Sequence, residues 1–244
     1  MFLITKIHLK PLISYHFFLS VLVLICLVSL PKNSISQSSN RVFRIDTNYV
    51  NPNPEYFFFN INLGGYYSRY KLNTKNWLGD INSPHFSIQL KYNKFGLGFN
   101  FKPSTNHPYQ ELVFGGEVMT HFTKLNVINT EFYLSYSLDF PLGLSLEPYL
   151  GINRVSFNVI NEDEIEQKFN LNNTSGFMLG SRLNKYWRLQ TGTGTNEQQD
   201  LFFSIFADYY YAWTNFKRVH ERLDNHFYSW GFGVSFIFFI DNKK

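Results

Sequence analysis

Alternation of apolar and polar residues is the dominant pattern of the chain after residue 56. In one segment Phe86, Ile88 and Leu90 alternate with Ser87 and Gln89. Such a period of two predicts β-strands with one apolar face. Eight segments show it, at residues 57–68, 85–92, 95–102, 128–139, 144–153, 176–183, 201–211 and 229–238. Their lengths approach the roughly 9–11 residues that a tilted membrane-spanning strand needs.

The second face of these segments is mostly Gly, Ser and Asn rather than Lys and Glu, which suits the crowded interior of a narrow barrel. The connections alternate in length. Asn93-Lys94 and Pro141-Leu142-Gly143 are short, whereas four connections are long and polar, at residues 69–83, 103–125, 159–173 and 213–226. We therefore predict an all-β protein, an antiparallel up-and-down transmembrane β-barrel of eight strands. Its long loops are expected outside the cell and both termini in the periplasm.

Two stretches do not fit this scheme. Residues 184–200 form a long connection where a short turn is expected, and Glu111–Met119 looks like a further strand. A ninth membrane strand would leave the termini on opposite sides, so we place Glu111–Met119 within the loop 103–125, as a hairpin above the membrane. A ten-stranded barrel that uses Val42–Tyr49 as its first strand is the alternative.

The N-terminal region predicts a secretory signal peptide. Lys6 and Lys10 precede residues 17–30, which are apolar except for two serines, and the small residues Ser34 and Ser36 follow. That run is shorter than the roughly 20 residues of a membrane-spanning helix. We predict a cleaved signal peptide at residues 1–36, a polar N-terminal tail at 37–55 and the barrel at 56–240.

Composition narrows the classes of function. Aromatic residues make up 19% of the chain and charged residues 16%, against about 25% charged residues in soluble domains. The single cysteine, Cys26, lies in the predicted signal peptide, and no spaced histidine set is present, so we expect neither disulfide, metal nor cofactor. Removal of Lys6, Lys10 and Lys32 with no acid lowers the charge from +4 to +1, which argues against nucleic acid as a partner.

Seven charged residues fall on the face assigned to the lumen. Because buried charges are costly unless paired, we expect a charge network that rigidifies the interior, with Glu147 and Arg182 as one ion pair. A narrow channel lined by the same charges is an alternative. The predicted network contains Lys91, Lys102, Glu131, Asp139, Glu147, Arg182 and Asp208.

His85 and Ser87 lie two apart on one strand and so point the same way, into the lumen by our register. A His-x-Ser strand resembles that of outer-membrane lipid A deacylases, in which the histidine would activate the serine for acyl transfer. In that family, however, the motif lies near the C-terminal end of the barrel. A lipid A-modifying hydrolase is therefore an alternative to the favoured non-enzymatic function.

The loops and strand ends carry further patterns. Acidic residues cluster at Glu162, Asp163, Glu164 and Glu166 without the spacing of an EF-hand, which indicates a solvated loop. A basic cluster in the last long loop would either bind lipopolysaccharide phosphates or stay solvated; it contains Lys217, Arg218, His220 and Arg222.

Aromatic bands are expected at both membrane interfaces. We place Tyr92, Phe95, Phe140 and Trp187 at the periplasmic rim, and Tyr67, Tyr209, Tyr211, Trp213 and Trp230 at the outer rim.

Three features together resemble a known family. They are the end of the leader at Ser36-Gln37, the stretch Leu146-Glu147-Pro148-Tyr149-Leu150-Gly151, and the aromatic C-terminal strand ending at Phe236–Phe239. The chain is similar to the small outer-membrane β-barrel proteins of Bacteroidetes, the OmpA-like and OmpX-like porin family. The resemblance implies an outer-membrane location, with barrel-insertion machinery, outer-membrane lipids and lipopolysaccharide as partners. The motifs of the resemblance identify architecture rather than activity. The eight alternating strands and the long outer loops favour a non-enzymatic protein with an envelope-structural, surface-binding or assembly role.

Overall fold

Eight antiparallel strands close into a barrel in a computed structural model of the chain, as the alternation predicts. The structure describes residues 37–38, 41–46, 57–114, 117–119, 124–160, 173–193 and 198–240. Each strand pairs with the next along the chain, and the last pairs with the first. The strands are β1 Phe57–Tyr70, β2 Ile81–Tyr92, β3 Phe95–Asn106, β4 Lys124–Tyr136, β5 Leu144–Ile160, β6 Thr174–Thr193, β7 Gln198–Thr214 and β8 His226–Ile240.

The predicted phase of β2 is confirmed. Phe86 and Leu90 are 39% and 41% exposed on the outside, whereas His85, Ser87 and Gln89 are buried inside. Since side chains of a strand alternate between its two faces, one register decides the direction of every side chain along it. The outside of the barrel is accordingly apolar and the inside largely polar.

One end of the barrel carries the short turns. Asn93 takes a left-handed φ of 53° between β2 and β3, a conformation that Asn tolerates. Between β4 and β5, a short strand Leu138–Phe140 and a 3₁₀ turn Pro141–Gly143 reverse the chain, with Leu142 and Gly143 at φ 65° and 69°. We call this the short-turn end.

The opposite, long-loop end carries folded connections. Helix α1 (Leu72–Leu78) follows β1, and a 3₁₀ turn, Phe216–Arg218, follows β7. Between β3 and β4, Leu112–Phe114 pairs with Glu117–Met119 as a separate two-stranded hairpin outside the barrel wall. The placement of this segment in the loop is therefore confirmed.

The assignment of residues 184–200 to one long connection is wrong. β6 continues to Thr193 and β7 begins at Gln198, so the two strands extend beyond the barrel as a hairpin. An N-terminal strand, Arg41–Asp46, pairs antiparallel with Arg188–Thr193 and covers the edge of this extension. This pairing stabilises the extension, and it could not be predicted from the sequence of the hairpin alone. The segment Arg41–Asp46 is not a ninth wall strand, so the ten-stranded alternative does not apply.

Residues 37–55, predicted as a polar tail, thus include the strand Arg41–Asp46 and the two-residue strand Gln37–Ser38 that pairs with it. The predicted signal peptide, residues 1–36, lies outside the described residues, as does the acidic cluster at residues 162–166. Within the described ranges, no helix is long and apolar enough to cross a membrane.

Apolar side chains close both ends of the barrel interior. At the long-loop end, Trp77 and Leu78 of α1 and Phe216 and Leu223 of the last connection are buried in one cluster with Phe227 of β8. At the short-turn end a smaller cluster contains Phe58, Tyr186, Phe202 and Ile237. The polar groups of the lumen therefore lie between two apolar layers.

Candidate functional site: a buried charge network in the lumen

Three ion pairs occupy the barrel interior, and all six side chains are at most 2% exposed. The pairs are Lys91–Glu147, Lys102–Glu131 and Arg182–Asp208. Three cations face three carboxylates, so this part of the lumen has no excess charge. Lys91 and Glu147 lie on strands that are not neighbours and meet across the lumen, whereas the other two pairs each join two neighbouring strands of the wall.

Asp208 of β7 accepts hydrogen bonds from side chains of three other wall strands. Its carboxylate accepts from Arg182 Nε at 3.1 Å and Nη2 at 2.9 Å, from Tyr149 Oη at 2.6 Å and from Tyr66 Oη. Arg182 Nη1 also donates to Tyr133 Oη at 3.3 Å. Side chains of β1, β5 and β6 thus meet at the carboxylate of β7, which leaves little of its hydrogen-bonding capacity unused. Arg182 connects this cluster to β4.

Glu131 of β4 is the centre of a second cluster. Lys102 Nζ donates to both carboxylate oxygens, at 2.8 and 2.7 Å, and Asn100 and Asn129 donate at 2.7 and 2.8 Å. The Lys102 ammonium also lies 3.8 Å from the ring centroid of Tyr66. Aromatic faces and charged oxygens together replace the water that this ammonium loses on burial.

Glu147 of β5 forms the third cluster, closest to the short-turn end. Lys91 of β2 is its ion-pair partner, and Tyr186 Oη and Gln89 Nε2 donate to it at 3.1 and 3.3 Å. Lys91 Nζ also reaches Ser137 Oγ at 3.2 Å. This cluster therefore ties β2 to β5 and β6 across the lumen.

Two details of the predicted network are wrong. Glu147 and Arg182 are direct cross-strand neighbours, as predicted, but each pairs with another residue. Asp139 lies exposed on the short strand Leu138–Phe140, opposite Ser145 at the short-turn end. A fourth buried carboxylate would face only three cations, whereas solvent at the rim keeps the Asp139 charge hydrated. The other six predicted residues are the three ion pairs.

Large aromatic side chains fill the lumen beside the charges, and the sequence prediction of a face of small residues missed them. They include Tyr66, Tyr133, Tyr149, Phe206 and Tyr210. Glycines provide their space: a Cβ on Gly98 would overlap the Tyr133 ring, and one on Gly180 would overlap the Tyr149 ring. The signal was present in the period of two, since Phe206 and Tyr210 share the phase of Ser204 and Asp208.

The packing of the lumen bears on the channel alternative. Side chains that line an aqueous pore are accessible to water, but Lys91, Glu131 and Arg182 are at most 2% exposed. An eight-stranded barrel is just wide enough for its own side chains. The interior arrangement is therefore that of a filled core.

The arrangement of His85 and Ser87 does not provide the activated serine of a hydrolase. His85 Nε2 contacts Asn100 Oδ1 at 3.2 Å, and Ser87 Oγ accepts from Asn62 Nδ2 at 2.9 Å. The two side chains make no hydrogen bond to each other, and both are buried inside the wall. A nucleophile and its base need direct contact and access to substrate. Among the described residues, no group of three His, Cys, Asp or Glu side chains is placed to hold a metal ion.

The outside of the wall is covered by exposed hydrophobic side chains from every wall strand, and those of β7 are the aromatic residues Tyr209 and Trp213. At the short-turn rim Tyr92, Phe95 and Phe140 are exposed as predicted, but Trp187 is only 5% exposed and stacks on Phe203. Trp187 lies where β6 leaves the barrel, so neighbouring strands cover it. The apolar belt contains Leu63, Phe86, Leu90, Leu97, Phe132, Leu134, Leu150, Ile152, Phe177, Leu179, Leu183, Phe232, Val234, Phe236 and Phe238.

The predicted basic cluster of the last connection lies at the long-loop end. Lys217, Arg218 and Arg222 are exposed, while His220 is half-buried and its Nδ1 accepts the Arg222 N–H at 3.2 Å. Phe216, Val219 and Leu223 of the same connection point inward and are buried. The basic side chains of this connection therefore face solvent, while its buried apolar side chains hold it against the barrel.

Comparisons with known proteins return similar folds among solved structures. Ail, the attachment invasion locus protein of Yersinia pestis, solved with the heparin analogue sucrose octasulfate, is 14% identical with a TM-score of 0.42, over 75% of this chain and 99% of that one. Neisserial surface protein A is 12% identical with a TM-score of 0.42, over 74% and 96%. The N-terminal β-barrel domain of Pseudomonas aeruginosa OprF is 14% identical with a TM-score of 0.37, over 75% and 98%.

No protein-family model matches the chain. No curated protein sequence matches it either. Similarity at the level of these solved structures says nothing about what this chain binds, and the resemblance to the Bacteroidetes porin family stays a prediction.

Proposed function

We propose that the chain is an integral outer-membrane β-barrel protein without enzymatic activity, which serves the envelope as a rigid scaffold that presents its long-loop end at the cell surface. The observation that carries this proposal is the apolar belt around a closed wall. Fifteen large apolar side chains lie more than a third exposed on the outward face of the barrel strands. In water such a surface would associate, whereas in a bilayer it is the surface that lipid requires.

A filled lumen supports a scaffold rather than a pore. Three buried ion pairs and the inward aromatic residues hold the wall strands together, so the barrel is a firm base for the long-loop end. In this proposal outer-membrane lipids and lipopolysaccharide surround the belt, and the barrel-insertion machinery assembles it. The long loops face the outside and the N-terminal strand Arg41–Asp46 lies in the periplasm.

Fractionation of cells together with heat-modifiable gel mobility tests the proposal. We expect the protein in the outer-membrane fraction, with a mobility that changes on boiling as the barrel unfolds. Recovery in the soluble fraction, without a heat-modifiable band, would contradict it.

A matched pair of leucines sharpens the test. Leu150, near the middle of β5, and Leu72, in α1 at the long-loop end, are 62% and 71% exposed. A lysine at the bilayer midplane costs about 2–4 kcal/mol, and one outside the bilayer costs little. Leu150→Lys should therefore reduce the heat-modifiable outer-membrane band, and Leu72→Lys should leave it unchanged. Equal tolerance of both changes would show that β5 does not face lipid.

A further inference from the structure

A basic and aromatic surface lies on the outward face of three neighbouring wall strands, close to the long-loop end. We call it the β1–β8–β7 patch, and its register follows from the strand pairing. Tyr228 of β8 lies opposite Arg69 of β1 on one side and opposite Tyr211 of β7 on the other. His226 lies opposite Trp213 in the same way. The patch contains Arg69, Tyr211, Trp213, His226 and Tyr228 of the three strands, together with Lys71, which directly follows β1.

The rings of the patch form a shelf. The ring centroid of Tyr211 lies 4.5 Å from that of Trp213, with the two planes 78° apart. It lies 5.9 Å from that of His226, with the two planes 20° apart. Tyr228 stacks on Trp230 at 5.9 Å. The Lys71 ammonium lies 5.6 Å above the Tyr211 centroid. The Tyr211 ring thus holds one cation of the patch over its face.

Among the described residues, the two cations of the patch have no anionic partner. Within the described residues, neither Arg69 nor Lys71 forms an ion pair, and both are exposed. Asp80, in the connection that follows α1, is already engaged by Lys75 at 3.5 Å and by Tyr67 Oη at 2.6 Å. His226 Nδ1 is buried without a hydrogen-bond partner. The patch therefore offers an exposed guanidinium and an exposed ammonium.

The order of side chains along β8 gives the position of the patch relative to the apolar belt. Val234 and Phe232 belong to the belt, and Trp230, Tyr228 and His226 follow at successive outward positions. Tyr and Trp gather where hydrocarbon meets headgroups. Arg69 and Lys71 then lie at the height of lipid phosphates.

We infer that the β1–β8–β7 patch binds the phosphate of an anionic lipid headgroup in the outer leaflet, an inference that rests on the proposed outer-membrane function. The Arg69 guanidinium can hold a phosphate with two parallel hydrogen bonds, and Lys71 adds a second charge. The acyl chains of the same lipid lie against Phe232 and Val234 below. Charge complementarity selects an anionic lipid, and the adjoining belt selects a lipid over free phosphate.

Arg154 provides a matched control. It is an exposed, outward-facing arginine on β5, on the opposite side of the ring of strands, two residues beyond the belt residue Ile152. Its cross-strand neighbours are Thr130 and Ser175 rather than aromatic residues. Arg154 therefore has a positive charge, as the patch has, but no aromatic rings beside it.

The test is a titration of the full protein, refolded in zwitterionic detergent, with lipid A carrying two phosphates, with the same lipid lacking phosphates, and with inorganic phosphate. Tryptophan fluorescence follows binding. We expect the phosphorylated lipid to bind more tightly than the other two probes. Because each charged hydrogen bond contributes about tenfold or more, Arg69→Gln/Lys71→Gln should raise its Kd by at least about tenfold. Arg154→Gln should leave the Kd unchanged.

Four results would overturn the inference: unchanged binding by the double variant, equal weakening by Arg154→Gln, equal binding of the dephosphorylated lipid, or equal binding of inorganic phosphate. Heat-modifiable mobility identifies the folded fraction of each variant, and Arg69→Lys/Lys71→Arg, which keeps both charges, should retain the preference for phosphate if the double variant does not fold. Failure of the proposed function is distinguishable, because it appears in cell fractionation and not in this titration.

Discussion

Glu147 and Arg182 lie directly opposite each other on β5 and β6, yet each forms its ion pair with a residue of another strand. Glu147 reaches across the lumen to Lys91 of β2, and Arg182 turns to Asp208 of β7. Hydrogen bonds of Asp208 to Tyr66 and Tyr149 hold that carboxylate where Arg182 meets it. Glu147 therefore prefers a partner across the lumen, and Arg182 prefers its cross-strand neighbour on the other adjoining strand.

A double-mutant cycle measures this choice of partners. Arg182→Gln should lower the free energy of unfolding by about 3–5 kcal/mol, because the buried Asp208 loses its cation. Combination with Asp208→Asn should cost less than the sum of the single changes, whereas combination with Glu147→Gln should be closer to additive. Urea unfolding of protein refolded in lipid vesicles gives these values. Stronger coupling of Arg182 to Glu147 than to Asp208 would contradict the observed pairing.

Glycines under the luminal tyrosines give a second prediction. Gly98→Ala places a methyl group against the Tyr133 ring, and such overpacking costs about 1–3 kcal/mol. Gly65 is the control, since a Cβ there would meet only the Ser83 carbonyl oxygen, at 4.0 Å. Gly65→Ala should leave the urea midpoint nearly unchanged. Equal effects of the two changes would show that the ring does not rest on Gly98.

The wall of the barrel could be predicted from the sequence, because the alternation of inward and outward side chains along a strand does not depend on which strand it pairs with. His85, Ser87 and Gln89 are inside once Phe86 and Leu90 are outside. The ion-pair partners could not be predicted, because each charge has candidate partners on both adjoining strands and across the lumen, and the period of two does not choose among them. Lys91 and Glu147 are distant along the chain and belong to strands that are not neighbours.

The folded connections were also beyond the sequence pattern. Helix α1 is too short to show a helical period, and its first turn is stabilised from outside: the Asn73 N–H donates to the Asp224 carboxylate at 2.7 Å. The extended hairpin of β6 and β7 was assigned to a long connection. Its pairing partner, Arg41–Asp46, comes from a distant part of the chain and leaves no mark on the sequence of the hairpin. Such tertiary pairing has no local signal.

Asp224 leads to a third prediction. Besides the bond to Asn73, its backbone exchanges two hydrogen bonds with Thr74 Oγ1, at 2.8 and 3.0 Å. Asp224→Ala removes the carboxylate that caps α1, a loss of about 0.5–2 kcal/mol. Amides of residues 72–78 should exchange hydrogen faster, while those of the wall strands stay protected. Glu221→Ala, at an exposed acid of the same connection, is the control and should leave α1 unchanged. Unaltered exchange in Asp224→Ala would show that the cap does not stabilise α1.

The N-terminal strand gives a fourth prediction. Arg41–Asp46 pairs with β6 only at Arg188–Thr193, beyond the last residue of β6 that pairs with β5. Deletion of residues 37–46 should therefore increase hydrogen exchange at 188–193 and leave the exchange of 174–185 unchanged. Loss of protection along the whole of β6 would mean that the N-terminal strand stabilises the barrel itself.

The central claim is that one face of each wall strand contacts lipid while the other is sealed in a filled lumen. Spin labels attached to single cysteines along β4, in protein with Cys26 replaced by serine and refolded in lipid vesicles, test it most directly. Phe132 and Leu134 are 54% and 58% exposed, and Tyr133 and Ser135 are buried. Labels at 132 and 134 should be accessible to oxygen dissolved in the bilayer and shielded from a water-soluble nickel reagent, and those at 133 and 135 should be shielded from both. Access of the nickel reagent to 133 and 135, or to 132 and 134, would contradict the claim.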